Sequence, residues 1–169
     1  MATNKIGYGT EVGLTFTSLD SLASSSGLTA GAESAALDNT TTLAVDYLIS
    51  GMVKVNGSNA MTANTTLEVW VIAEREDTPA YPDVFDGTDS AETVTSRNVL
   101  FAAGKLAAVV TFDGTDTNRV YDIGQFSLAQ LFGGNVPRHC VLFVVHNGGQ
   151  ALNSTGNGFY AMPILPTVA

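Results

Sequence analysis

Thr65-Thr66-Leu67-Glu68-Val69-Trp70-Val71-Ile72-Ala73-Glu74 sets Leu67, Val69, Val71 and Ala73 at every second position, with Glu68, Trp70, Ile72 and Glu74 between them. Side chains of an extended chain alternate between its two faces. The spacing therefore predicts a strand with one wholly apolar face and one face carrying acids at its ends. Upstream, Leu43, Val45, Tyr47 and Ile49 keep the same period while Asp46 and Ser50 point the other way. Gly51 predicts a bulge or bend before Val53 and Val55, and Asn56-Gly57 reads as a hairpin-type turn. Downstream, strands are expected over residues 98–102, 105–112 and 119–123. Residues 140–145 are apolar on both faces and hence central, and residues 158–165 read as an edge strand because of Pro163 and Pro166.

Residues 76–97 hold Pro79, Pro82 and Gly87 among turn formers and are expected as a long excursion over the surface. Residues 1–40 are rich in Gly, Ser, Thr and Ala, with one candidate strand at 12–17 and a short helical turn at 19–23. They read as an N-terminal arm with an edge strand, ahead of a sandwich over residues 41–169, the whole forming one domain. One short helix is expected at residues 127–132. There Ser127 can cap the amide of Gln130, Phe126 can pack on Leu131, and Gly133-Gly134 stops the turn. Seven or eight short strands with no alternation of strand and helix place the chain in the all-β class, as an antiparallel β-sandwich of jelly-roll type. At 169 residues, one core can hide roughly 70% of the unfolded surface.

Charged residues make up only 14% of the chain against about 25% in a typical soluble domain. A Thr-, Ser-, Asn- and Gly-rich exterior is either a neutral β surface or one partly covered by neighbouring subunits. The net charge of −9 comes from 16 acidic and 7 basic residues, and Lys5, Lys54, Arg75, Arg97, Lys105, Arg119 and Arg138 stand singly. Phosphate backbones and anionic membranes are bound by clustered Lys and Arg, so neither nucleic acid nor a membrane is an expected partner. The N-terminus lacks an apolar stretch of signal-peptide length, which predicts folding in a cytoplasm.

Cys140 is the only cysteine, which excludes an intrachain disulfide, and its apolar surroundings predict a core residue. His139 and His146 lie seven apart, on opposite faces of a regular strand and about 23 Å from end to end, so they cannot share a metal ion. The pentapeptide Phe-Asp-Gly-Thr-Asp occurs at residues 85–89 and 112–116; its spacing does not match an EF-hand loop, and Asp-Gly turns account for it. No nucleophile elbow, dinucleotide loop or phosphate loop is present, so no catalytic, cofactor-binding or metal residue is assigned. The more informative constellation is Trp70 with Ile72 between Glu68 and Glu74: large apolar side chains in a polar border, as in a buried contact patch. The competing reading puts that face in the core between the sheets.

Phe126-Ser127-Leu128 through Phe132-Gly133-Gly134, residues 141–147, Gly148-Gly149-Gln150-Ala151-Leu152 and Ser154-Thr155-Gly156-Asn157-Gly158 resemble the head decoration, or cement, proteins of tailed bacteriophages. The resemblance is a pattern of turns and strands in the last third of the chain. His146 departs from it, and residues 76–97 have no counterpart in it. It implies a small jelly-roll-like virion protein, made in the host cytoplasm, that binds the outer capsid as a homo-oligomer, often a trimer, and clamps neighbouring major capsid protein subunits. It carries over no functional residues. On that reading Lys5 and Tyr8 of the arm are expected to reach a neighbour, with Trp70 and Ile72 in a subunit contact. The alternative is a carbohydrate- or receptor-binding sandwich of a phage tail or host surface, with Tyr81 and Phe85 contacting sugar.

Overall fold

The computed structural model describes residues 4–78, 80–115 and 117–168; residues 1–3 of the expected arm, Pro79 and Asp116 lie outside them. The strands are β1 (Asn4–Tyr8), β2 (Val12–Gly13), β3 (Ala30–Glu33), β4 (Leu37–Asp38), β5 (Asp46–Lys54), β6 (Thr66–Ala73), β7 (Ser90–Thr93), β8 (Gly104–Thr111), β9 (Val120–Ser127), β10 (His139–His146) and β11 (Gly158–Val168). Two short helices, α1 (Arg97–Ala103) and α2 (Leu128–Leu131), join them. In the first sheet β1 and β2 share one edge of β11, followed by β5 and β9; the second sheet runs β7-β3-β10-β6-β8, with β4 also on β10. All pairings are antiparallel. With β1/β2 and β3/β4 each taken as one interrupted strand, every connection except that from β6 to β8 crosses between the sheets. That alternation is the jelly-roll order.

Alternation delivers the core. Tyr47, Ile49, Val53 and Val55 face Leu67, Val69, Val71, Leu142 and Val144 across the gap between the sheets. Gly51 belongs to the same inward row, and a Cβ there would lie 2.5 Å from the Phe159 ring on β11. Of the bulge or bend expected at Gly51, the register shift is present between Gly51 and Met52, but its extra residue, Ile123, belongs to β9, and β5 keeps its alternation. Leu43 and Val45, expected inward, are exposed because β5 begins only at Asp46. Before it, the Asn39 side chain closes a turn by bonding both the N–H and the C=O of Ala44.

Several expectations are corrected. Residues 4–40 are no separate arm: they supply strands to both sheets, and Phe16, Leu19, Leu22 and Ala32 enter the core. Asn56-Gly57 joins β5 of one sheet to β6 of the other and so closes no hairpin. Residues 98–102 are helical, because Ser96 accepts the Val99 N–H as an N-cap. Strand β11 is internal, between β1/β2 and β5. Pro163 is tolerated there because its carbonyl accepts the Gly9 N–H, which turns its donorless nitrogen toward the same edge, where the chain kinks between β1 and β2. At α2, Ser127 caps the Gln130 N–H as its spacing predicts, and Asp46 adds bonds to the Ser127 O–H and the Ala129 N–H.

Cys140 is buried in the core, and desolvation pushes its thiol up to about 12. A thiolate is the reactive form, so a thiol reagent should label the folded protein only at the rate at which the β10 region opens, and quantitatively in denaturant. Rapid labelling of the native protein would contradict this placement.

Candidate interface

The outer face of the first sheet is nonpolar along β11. Ladder register sets Tyr8 of β1 beside Ile164, Ile164 beside Asp46, and Met162 beside Leu48 of β5. Tyr160 lies beside Ser50, Met52 between Gly158 and Asp122 of β9, and Val120 beside Lys54, so the apolar side chains here are diagonal neighbours set among polar ones. Ile6 is 74% and Tyr8 73% exposed, and Tyr160, Met52 and Val120 are exposed as well. A run of this kind across three strands exceeds the scattered single apolar residues of an ordinary monomer surface. Lys5 is exposed on the same strand as Tyr8. Beyond the β2 edge lies a cleft of about 280 Å³ with a mixed lining, Leu14, Leu37, Tyr47 and Pro163 beside Asp38 and Thr42.

The outer face of the second sheet is built differently. Trp70 is 1% and Ile72 0% exposed; they pack with Val141, Phe143 and Val145 in a second hydrophobic core roofed by Tyr81, Phe85, Val94 and Leu100. The long excursion thus folds down onto its own sheet and ends as the edge strand β7. The contact patch read at Trp70 and Ile72 is therefore filled by the chain itself and not by a subunit. The sugar contact expected at Tyr81 and Phe85 falls with it, since these rings are 9% and 4% exposed and Phe85 sits edge-on to Phe143 at 5.2 Å. What the roof leaves open is a smaller apolar patch on β8 and α1: Phe101, Leu106 and Val109, with Phe101 58% exposed.

A charged anchor holds α1 to this core. Arg97 makes a two-pronged ion pair with Glu68, at 2.5 Å and 2.9 Å, and the Trp70 Nε1–H donates to the same carboxylate at 2.9 Å. The guanidinium also lies over the Trp70 and Phe101 rings. Glu33 of β3 is buried, and its Oε1 accepts the N–H groups of Asp86 and Gly87 in the roof. Its Oε2 and the Tyr81 hydroxyl have no partner among the described residues, and desolvation pushes the Glu33 carboxyl up to about 7.

His139 and His146 sit at opposite ends of β10 and on opposite faces. The His139 ring lies between Glu74, just past the end of β6, and Asp38 of β4. His146 is buried in the main core: Nδ1 accepts the Gly148 N–H, so Nε2 carries the proton and donates to the Leu22 carbonyl at 3.0 Å. Burial holds this imidazole below the usual histidine range. The pentapeptide forms one module twice: a buried Phe, an Asp accepting the N–H two residues on, and a Gly at positive φ. Among the described residues no group of three His, Cys, Asp or Glu side chains is placed to hold a metal ion, and no helix is long and apolar enough to cross a membrane. Comparisons with protein-family models, curated proteins and solved structures found no match.

Proposed function

We propose that this protein is a structural component of a tailed-phage virion that decorates the outer capsid and braces neighbouring major capsid protein subunits, itself assembled as a trimer. The observation that carries the reading is the nonpolar exterior of the first sheet, backed on the opposite side of the sandwich by the Phe101, Leu106 and Val109 patch. A molecule with adhesive surfaces on two sides can join two neighbours, and a closed ring of three copies uses two different patches on each. Binding only the assembled shell stabilises that shell by mass action, and several contacts per trimer add avidity. The acidic, patchless charge suits a position facing away from the packaged genome.

The test is a double substitution, Ile6→Ser with Tyr8→Ser, of the two most exposed apolar side chains of the outer face. The wild-type protein is expected to sediment as a trimer and to bind expanded shells stripped of decoration. The variant should keep its thermal midpoint and lose shell binding by about tenfold or more, the effect of removing contact side chains at the centre of an interface. Density for the chain on purified particles, seen on the shell, would support the reading. A wild-type monomer that leaves stripped shells bare would overturn it.

A further inference from the structure

Three Asn-Gly pairs occur in the chain, at residues 56–57, 147–148 and 157–158, and the fold treats them differently. We infer that Asn56-Gly57 is a site of spontaneous covalent modification, at which the Gly57 amide nitrogen closes on the Asn56 side-chain carbonyl and water converts the residue to aspartate or isoaspartate.

Three features of the turn favour the reaction. The Asn56 side chain folds back over its own turn, and Oδ1 accepts two backbone N–H groups, from Ser58 at 2.7 Å and Asn59 at 3.2 Å. These donors are placed to stabilise the negative charge that develops on Oδ1 when Cγ is attacked. Gly57 is exposed, and its N–H donates to no group among the described residues, so the nucleophile is free and water reaches it. The Asn56 carbonyl is pinned by the Asn118 N–H at 3.0 Å, which holds the backbone of the turn in place.

The balance is closed by water alone. A bond forms between Gly57 N and Asn56 Cγ, the bond from Cγ to the amide nitrogen breaks, and the Gly57 proton leaves with that nitrogen as ammonia. Water then opens the cyclic imide, at Cγ to give aspartate or at the backbone carbonyl to give isoaspartate. No electron is transferred, and the product adds one negative charge to the formal −9.

The other two pairs are blocked at different atoms. Gly148 is buried and its N–H is spent on His146 Nδ1, so the nucleophile is occupied. Asn157 is held at its leaving nitrogen: Nδ2 donates to Asp20 Oδ1 and to the Asn153 carbonyl, each at 2.8 Å.

The experiment ages the folded protein in mildly alkaline buffer, beside a sample in urea, and follows the three peptides by mass spectrometry. In the folded protein the Asn56 peptide should convert at least about tenfold faster than the Asn147 and Asn157 peptides, whose nucleophile or leaving nitrogen is held by a hydrogen bond. In urea the three rates should converge, and a more acidic species should accumulate on isoelectric focusing. Conversion of Asn147 or Asn157 as fast as Asn56 in the folded protein would overturn the inference. So would an unchanged Asn56 after the urea sample has reacted.

Discussion

Trp70→Ala is expected to lower stability by about 3–5 kcal/mol, the range for deleting a large buried aromatic. The side chain fills the middle of the second core, its Nε1–H satisfies Glu68, and its ring supports both Arg97 and the edge of Phe101 at 4.9 Å. Removal leaves a cavity under the roof and strips one donor from a nearly buried carboxylate. For a domain of this size the thermal midpoint should fall on the order of 10 °C. Because Trp70 is covered by its own chain, the loss should be the same at every protein concentration, whereas a residue in a subunit contact would give a concentration-dependent loss. The roof should also become the first site of proteolytic cleavage, since its packing is lost while the main core is intact. Phe101→Ala, at the exposed rim of the same cluster, should cost much less. If Trp70→Ala leaves the monomer's midpoint unchanged and alters only its assembly, the second core as described here is wrong.

The alternation at residues 65–74 and 140–145 was legible because both strands lie inside a sheet, where period two or an unbroken apolar run answers to burial on both sides. Glu68, Trp70, Ile72 and Glu74 were also read correctly as the other face. What covers that face was not legible. The Pro-rich stretch before Tyr81 and Phe85 signals turns, and turns say nothing of whether the loop stands off the sheet or lies on it. Val99-Leu100-Phe101 suits strand or helix equally; a Ser96 cap and a guanidinium reaching Glu68, 29 positions earlier in sequence, decide for helix. Pro163 does not mark an edge, because the cost of a proline depends on which neighbour its nitrogen faces, a fact of topology. Tyr160, Met162 and Ile164 did carry the alternation of an outward apolar row, but it merged with the inward row of Phe159, Ala161 and Pro163. Strand order separated the two.

The acidic excess also acquires a structural meaning. Asp46, Asp83, Asp89 and Glu33 each accept backbone N–H groups of loops or first helical turns that have no ladder partner of their own. Such acceptors fasten connections that would otherwise leave donors unsatisfied. Thr17 and Ser18 are tied to Asp89 in this way: burial works to raise that carboxyl, but the bonds it accepts leave it below the usual range. Part of the acidic complement therefore holds the molecule's own connections.

Glu33 differs from these in sign, and the difference predicts an unusual alkaline limb of stability. Its folded value, about 7 against 4.5 in the open chain, means that the native state binds the proton more tightly. The stabilisation linked to it is then fully present below about pH 4.5 and lost as pH rises through 7, by roughly 3 kcal/mol at about 1.4 kcal/mol per pH unit. Asp38 and Asp89, held below their ordinary values, and His146, held below its own, act the opposite way: their contributions are present at neutral pH and lost on acidification. Glu33→Gln keeps an oxygen for the Asp86 and Gly87 amides without the buried charge. The variant should therefore match the wild type near pH 4.5 and exceed it above pH 8, with a midpoint higher by roughly 6–12 °C at about 2–4 °C per kcal/mol. The acid limb, set by His146 and the aspartates, should be the same in both proteins. Thermal midpoints measured across the pH range would test this, and parallel curves for the two proteins would show that the carboxyl under the roof is solvated and its proton ordinary.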